Sequence, residues 1–270
     1  MADLYEEIVK LKAEGGSAAV ATIIGAEGST PRETGAKMVV REDGTIFGTI
    51  GGGCLEGQVI EDAVKVIREE KPRIFHHDLT GTEATGAGMI CGGVLDIYIE
   101  PIIPTPTVFI FGGGHISLFV SKISAMAGFQ VAVIDDRAEF ASPERFPEAK
   151  QVIAEKFSVA FPQLKVNRSS YLVIVTRGHA GDQEVLKWAL TTEARYIGMI
   201  GSGKKIRTVY QNLEEKGVAR EKLQRVFAPI GLEIGALTPE EIAVAIVGQM
   251  IQVRREPLSP RQVAGKPCAG

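Results

Sequence analysis

The fold is decided by the stretch "TVFIFGGGHISLFVSKISAMAGFQVAVIDDR", residues 107–137. An apolar run is followed by three glycines, an amphipathic segment, a second apolar run and an acidic residue, which predicts the order strand, turn, helix, strand. Gly112 and Gly114 occupy the first two glycine positions of the dinucleotide-binding fingerprint, and Ser117 stands at the third. Because the fingerprint lies in the structural context it requires, we predict a Rossmann-type parallel sheet.

The same turn predicts an anion site. Gly112 allows the tight turn, Gly114 lets the backbone approach a phosphate, and the helix starting at His115 directs its unpaired N–H groups and positive dipole end there. Asp135 ends the second strand, where a ribose hydroxyl would be held. The alternative is a doubly wound sheet that keeps these residues for packing and binds nothing.

Three later loops follow predicted strands: "TRGHAGD" at 176–182, "IGSGKK" at 200–205 and "APIGLEIGA" at 228–236. The carboxyl ends of parallel strands form a ligand crevice, so we expect the polar side chains of these loops to converge. They are Arg177, His179, Asp182, Ser202, Lys204, Lys205 and Glu233. Structural roles remain open as well: the two lysines could begin a solvated helix, and Asp182 could cap a helix or pair with Arg177.

The first half of the chain has a different order of predicted helices and strands, typical of a smaller α+β domain. An amphipathic helix at residues 4–11 and a strand at 17–27 precede a hairpin of strands at 38–41 and 45–50. A helix at 54–70 and strands at 73–79 and 93–100 follow, and the proline-rich segment 100–107 marks the domain boundary. We predict an α/β protein with an amino-terminal domain at 1–103, a Rossmann-type domain at 107–256 and a tail at 257–270.

Composition and charge restrict the function. The chain has 270 residues and a net charge of −3 without a long basic run, which excludes the electrostatic footprint of a nucleic-acid binder. No apolar run approaches the roughly 20 residues of a membrane helix, and the charged start is unlike a signal peptide. The three cysteines Cys54, Cys91 and Cys268 are odd in number and widely spaced, which favours thiols in a reducing compartment. We therefore predict a cytoplasmic protein.

Several motifs together resemble the XdhC/CoxI family of xanthine dehydrogenase accessory factors. They are "GSTPRETGAKM", "GTIGGGCLE", "ICGGVLDIYIEP", "FGGGH", "TRGHAGD", "IGSGKK", "APIGLEIGA" and "TPEEIAVAIV", in the expected order from about residue 28 to 247. The resemblance implies a maturation factor that binds the molybdenum cofactor, supports its sulfuration and hands it to an apo-enzyme of the xanthine dehydrogenase type. A molybdenum hydroxylase and a sulfur donor such as a cysteine desulfurase are the implied partners.

Within this resemblance, Cys54 is a candidate molybdenum ligand or sulfur-handling group. It follows Gly51, Gly52 and Gly53 at a helix start, where the dipole favours a thiolate, and a thiolate is a soft ligand. The competing interpretation is a buried, apolar cysteine. The glycine N–H groups could hold a pterin phosphate, with Arg32 and Lys37 as charge partners. The cofactor-binding candidates are Arg32, Lys37, Gly51, Gly52, Gly53, Cys54, Cys91, Gly112, Gly114, His115, Asp135, Arg177, Ser202 and Lys204.

The chain also departs from the usual family pattern at two positions. Gly203 stands where an arginine is common, and Gln249 stands where relatives often carry a glutamate. The first change removes a possible phosphate contact, and the second puts a carboxylate role there in doubt.

Two classes of function remain. In one, the chain is a non-catalytic maturation chaperone that carries the molybdenum cofactor. In the other, it is an oxidoreductase that binds NAD(P) in the Rossmann-type domain, with Cys54 or His179 as a nucleophilic or acid–base group. We favour the carrier, because no compact catalytic constellation is recognisable, and we expect a homodimer, the commonest closed oligomer.

Overall fold

A computed structural model describes residues 3–79 and 93–256. The chain divides into two compact units between Pro104 and Thr105. None of the helices in the described ranges is both long and apolar enough to span a lipid bilayer.

The amino-terminal unit is an antiparallel sheet with helices on both faces. Its elements are α1 (Leu4–Glu14), β1 (Ala18–Glu27), β2 (Lys37–Arg41), β3 (Ile46–Gly48), α2 (Gly53–Glu69), β4 (Arg73–Asp78) and β5 (Val94–Ile102). The strand order is β3-β2-β1-β5-β4. Alternation along the strands directs one set of side chains toward α2, which buries Leu55, Val59 and Ala63, and the other set toward Leu11 of α1.

One strand of this unit is shorter than the sequence predicts. The expected strand at 45–50 is limited to Ile46–Gly48. Gly48 has a positive φ of 86°, and its backbone closely approaches Lys37, so the extended conformation ends there. The hairpin itself is present, because β2 pairs with β3 in antiparallel register.

The second unit alternates strands and helices. Its elements are β6 (Thr107–Phe111), α3 (His115–Met126), β7 (Gln130–Ile134), β8 (Gln151–Ile153), α4 (Phe157–Ala160), β9 (Ser170–Ile174), α5 (His179–Ala189), β10 (Tyr196–Met199), α6 (Gly203–Glu215), α7 (Arg220–Leu223), β11 (Val226–Phe227) and α8 (Pro239–Arg255). The six-stranded sheet is parallel, in the order β11-β10-β9-β6-β7-β8. This is the order of a Rossmann fold, and it reverses between β6 and β9. The predicted fold class is confirmed.

The first and last helices of this unit pack against each other. Ser117, Ser121 and Ser124 of α3 are fully buried, and Ser117 donates to the carbonyl of Gly112. Farther along α8, the Arg254 side chain donates from Nη1 to the carbonyl of Ala127, 3.1 Å away. The first and last helices of the unit in sequence, α3 and α8, are therefore held together in the fold.

Candidate functional site

The glycine turn of the Rossmann unit, residues 112–114, is shaped by close contacts. Gly112 has a φ of 109°, and a Cβ there would lie 2.5 Å from the carbonyl oxygen of Val175. A Cβ on Gly113 would lie 2.3 Å from the carbonyl oxygen of Phe140. At Gly114 the corresponding space is open. The first two glycines are thus required by packing, whereas the third leaves room outside α3.

Asp135 lies at the end of β7, where the sequence predicts it, but its carboxylate is already engaged. Oδ2 accepts from the N–H of Gly113 at 2.7 Å and from Nη2 of Arg137 at 2.9 Å. Oδ1 accepts from the N–H and Nε of Arg137 at 3.0 and 2.9 Å. These bonds use about four lone pairs, which is the capacity of a carboxylate. Asp135 is only 2% exposed, so the predicted ribose contact would require Arg137 to leave.

The pKa of Asp135 reflects this environment. Burial alone raises it, but the bonds from Arg137 and Gly113 together outweigh burial and hold the pKa below its ordinary value. The segment after β7 also covers the turn: Arg145 donates from Nη2 to the carbonyl of Gly113 at 2.9 Å. The Arg137 guanidinium lies 3.6 Å from the ring centre of Phe140. The N–H and the carbonyl of Gly113 are therefore both hydrogen-bonded to side chains of this unit.

The loops after β9 and β10 meet through a buried ion pair. Nζ of Lys205 contacts Oδ2 of Asp182, which is 0% exposed, and Thr176 donates to Oδ1 of the same carboxylate at 2.8 Å. The pairing of Asp182 with Arg177 is therefore wrong, and Arg177 is exposed. Asp182 is also not the helix cap, because α5 begins at His179 and its N-cap is Gly178.

The remaining predicted residues of this edge are solvent-facing. His115, Arg177, His179, Ser202, Lys204 and Glu233 are exposed. Ser202 is the N-cap of α6 and accepts from the N–H of Lys205. By contrast, α3 and α5 begin without a side-chain cap. Their first N–H groups are the donors that an anionic ligand at the carboxyl edge would use.

Gln249 reaches this edge from α8. Its Oε1 accepts from the N–H of Gly231 at 2.9 Å and from the hydroxyl of Tyr196 at 2.6 Å. Its Nε2 donates to the carbonyl of Gly231 at 2.9 Å. An amide supplies both the acceptor and the donor, so this position has a role that an ionised carboxylate would not fill.

In the amino-terminal unit, three predicted segments lie side by side. A Cβ on Gly51 would lie 2.5 Å from the Pro31 side chain, so the glycine corner, residues 51–53, packs on the loop that carries Arg32. A Cβ on Gly93 would lie 2.7 Å from the Thr30 side chain. The side chain of Arg32 is exposed there, while Lys37 donates to the hydroxyl of Thr22 at 3.0 Å.

Cys54 is exposed in the first turn of α2. The interpretation of Cys54 as a buried, apolar residue is therefore wrong. Cys91 and Cys268 lie outside the described residues. Across the described ranges, no cluster of three or more histidine, cysteine and carboxylate side chains could hold a metal ion.

A carboxylate already occupies part of the glycine corner. Oε1 of Glu56, in the first turn of α2, accepts from the N–H of Gly52 at 3.0 Å and contacts the Thr49 hydroxyl. The N–H of Gly51 donates to that hydroxyl at 3.2 Å. Of the amides predicted to hold a phosphate, those of Gly51 and Gly52 thus have partners within the chain.

Sequence reasoning missed Glu56, Arg137 and the amide role of Gln249. Both Glu56 and Arg137 are close in sequence to the groups that they contact. Glu56 lies four residues after Gly52, at a helix start that has no other side-chain cap, and Arg137 lies two residues after Asp135. Both spacings could have been recognised in the sequence. Gln249 lies 18 residues from Gly231, and no local pattern indicates their contact.

The fold defines a protein with a Rossmann-type unit preceded by an α+β unit. Residues 108–250 match the XdhC Rossmann domain, and residues 11–78 match the XdhC and CoxI family. The chain belongs to the XdhC/CoxI family.

Individual relatives agree with this assignment. The chain is 35% identical over 253 residues to YqeB of Escherichia coli, covering 93% of this chain and 46% of YqeB, so it spans about half of that relative. It is 22% identical to a probable xanthine dehydrogenase subunit of Bacillus subtilis, covering 88% of this chain and 93% of the relative. It is 21% identical to the molybdenum cofactor insertion chaperone PaoD of Escherichia coli, covering 89% and 84%.

A solved structure shows the same architecture. A xanthine dehydrogenase from Bacillus halodurans shares 26% identity with this chain, covers 97% of both chains and has a TM-score of 0.52.

Proposed function

We propose that this protein is a maturation factor that binds the molybdenum cofactor as cargo, holds it while its terminal sulfur ligand is installed, and delivers it to a molybdenum hydroxylase of the xanthine dehydrogenase type. The names of two relatives, a molybdenum cofactor insertion chaperone and a probable xanthine dehydrogenase subunit, support a maturation role.

The observation that carries this proposal is the saturated carboxylate of Asp135. In a dinucleotide enzyme this acid accepts from the ribose hydroxyls, and here Arg137 and Gly113 already donate to both of its oxygens. An NAD-dependent enzyme would have to break that buried ion pair for each bound cofactor. A pterin cofactor with a terminal phosphate makes no such demand.

The start of α3 fits the phosphate of this cargo. Gly114 leaves open space, α3 has no side-chain cap, and the N–H groups of its first turn point toward that space. The exposed side chains of His115 and Arg177 supply hydrogen-bond donors or positive charge at the same edge of the sheet. Ser202 and Lys204, at the start of α6, extend this polar edge.

In the amino-terminal unit, Cys54 is a separate candidate for handling the sulfur of the cargo. The metal centre carries the exchangeable sulfur, and thiolates are ligands of choice for such soft centres. Cys54 presents its thiol at an exposed helix start, where a sulfur donor or an acceptor enzyme could reach it. Transfer in the cytoplasm and assembly as a homodimer complete the proposal.

Retention of the cofactor tests this function. Purified protein is mixed anaerobically with molybdenum cofactor released from a denatured hydroxylase, and the molybdenum that co-elutes in gel filtration is measured. We expect near-stoichiometric molybdenum with the wild type, and at least a fivefold lower yield with Cys54→Ser. Cys268→Ser, which makes the same chemical change in the tail, serves as the control and should retain wild-type levels.

Opposite results would overturn the proposal. Absence of co-eluting molybdenum from the wild type would exclude the carrier. Saturable binding and oxidation of NADH with a substrate, abolished by substitution of Gly114, would establish the oxidoreductase instead.

A further inference from the structure

The loop after β11, residues 229–235, is here called the Gly231 loop. Its start is joined to the sheet, because the N–H of Ile230 donates to the carbonyl of Met199, the last residue of β10, at 3.1 Å. The carboxyl end of β10 also leads to the start of α6, where Ser202 and Lys204 lie. The Gly231 loop therefore lies at the edge of the sheet where the cargo is proposed to bind.

The other side of the Gly231 loop rests on α8. The N–H of Leu232 donates to the carbonyl of Ala245 at 3.1 Å, and a Cβ on Gly231 would lie 3.2 Å from the Ala245 side chain. Gly231 has a φ of 102°, so its backbone turns in a conformation that few other residues adopt. Beyond this anchor, Glu233 and Ile234 are exposed.

The anchor is completed by the amide of Gln249. It receives one hydrogen bond from Gly231 and returns another to the same residue, while the buried hydroxyl of Tyr196 orients Oε1. The reversed amide orientation would face a donor with a donor and an acceptor with an acceptor, so the network fixes the side chain. One neutral side chain thus holds both polar groups of the residue at the bend.

We propose that Gln249 is a positioning residue, whose amide fixes Gly231 and thereby holds the Gly231 loop in the conformation that binds the cargo. This inference rests on the proposed carrier function. Gln249 itself does not contact the cargo. It acts by limiting the conformations of Glu233 and its neighbours, which reduces the entropy lost on binding.

Gln249→Glu is the sharpest variant because it has nearly the same shape but replaces the donor by an acceptor. When ionised, the new carboxylate faces the carbonyl of Gly231 without a proton to share. When protonated, it supplies one donor and one acceptor, as the amide does. The ordinary pKa of a glutamate is about 4.3, so the variant should lose the anchor at neutral and higher pH and recover it only below about pH 4.

The titratable group in contact with the Gln249 amide is the hydroxyl of Tyr196 on β10, and Glu233 on the loop and Arg254 on α8 are charged side chains of the same elements. Burial raises the pKa of Tyr196 well above its ordinary value, so its hydroxyl stays protonated at neutral pH. Glu233 and Arg254 are present in the wild type and in every variant, so comparing each variant with the wild type at the same pH cancels their effect on exchange.

The first measurement is amide hydrogen exchange of the peptide spanning 228–236, corrected for intrinsic rates, at pH 3.5 and pH 8. We expect Gln249→Glu to exchange about tenfold faster than the wild type at pH 8, because the carboxylate has no proton to donate to the carbonyl of Gly231, and within about twofold of it at pH 3.5. Gln211→Glu, the same change at an exposed position of α6, should match the wild type at both values.

Two further variants keep the test decisive. Gln249→Met removes the polar atoms without adding a charge, so exchange should rise at both pH values even if the glutamate variant does not fold. Tyr196→Phe removes only the hydroxyl and should leave the exchange of Gly231 within about threefold of the wild type. Exchange that is unchanged in both Gln249 variants would overturn the proposal.

The second measurement is molybdenum cofactor retention at pH 8. Gln249→Glu and Gln249→Met should each retain at least fivefold less cofactor than the wild type. Altered exchange with unaltered retention would refute the positioning role while leaving the carrier function intact. Failure of the wild type to retain cofactor would refute both, and the exchange data would then describe the anchor alone.

Discussion

The chain contains the triplet Gly-Gly-Gly twice, each time between a buried apolar residue and a helix. In the amino-terminal unit it precedes Cys54, and in the Rossmann unit it precedes His115. In both places a carboxylate of the chain accepts from the middle glycine: Glu56 from Gly52 and Asp135 from Gly113. The origin of the two carboxylates is different.

Glu56 lies on α2 and accepts a hydrogen bond at the start of that same helix, from Gly52, four residues earlier. Asp135 lies at the end of β7, the neighbouring strand of the parallel sheet, 22 residues after Gly113. It is buried and is paired with Arg137. A local, half-exposed carboxylate can rotate away at small cost, whereas a buried and fully bonded one cannot. Identical triplets thus produce an adaptable corner in one unit and a rigid turn in the other.

Lys205→Ala gives the largest expected effect and tests the rigidity of the Rossmann unit. It leaves the carboxylate of Asp182 buried without its cation, and we expect a loss of about 3–5 kcal/mol in the free energy of unfolding. Urea denaturation followed by circular dichroism measures it. The adjacent, exposed Lys204 provides the control, since Lys204→Ala should change stability by less than about 0.5 kcal/mol. Equal effects of the two variants would contradict the buried pair.

Asp135→Asn has the next largest effect and tests the turn directly. We expect a loss of about 2–3 kcal/mol at pH 7, because the guanidinium of Arg137 loses its charged partner. The pKa of Asp135 is lowered in the folded protein, so its contribution is present above its unfolded pKa and disappears as the pH falls through the folded value.

The difference in stability between the wild type and Asp135→Asn should therefore shrink below about pH 4. Asp136→Asn, a change of the exposed neighbour, should show no comparable difference at pH 7. A gap between wild type and Asp135→Asn that stays constant from pH 7 to pH 2.5 would show that the charge of Asp135 is not what stabilises the turn.

Glu56→Gln has the smallest effect and tests the adaptable corner. Stability should fall by less than about 1 kcal/mol, since the amide oxygen still accepts from Gly52. Replacing the carboxylate by an amide weakens its bonds to Gly52 and Thr49, so the corner should open more often and alkylation of Cys54 by iodoacetamide at pH 7 should accelerate about two- to fivefold. Mass spectrometry of the Cys54 peptide measures the rate, and Glu61→Gln, farther along α2, is the control. A slower reaction would contradict this account.

The sequence predicted the architecture because the signals for it are local. Apolar runs, glycine turns and an acid at a strand end identify β6, α3 and β7 with nearly their observed bounds. The helix behind Cys54 and the β2–β3 hairpin are likewise found from spacing and turn residues. Such features depend on neighbours within a few residues, which is what periodicity measures.

The partners of the polar groups were less predictable. Lys205 and Asp182 were both candidates for the crevice, yet their pairing depends on how α5 and α6 pack. The contact of Gln249 with Gly231 depends on the path of a loop over α8. These contacts depend on tertiary packing, and residue spacing alone does not specify them.

The packing of α3 against α8 has a consequence for synthesis on the ribosome. Helix α3 is translated more than a hundred residues before α8, the helix that packs against it. The sheet of the amino-terminal unit is complete in sequence by Ile102, so that unit can fold while translation continues. The Rossmann unit can complete its α3–α8 contact only after α8 has left the exit tunnel.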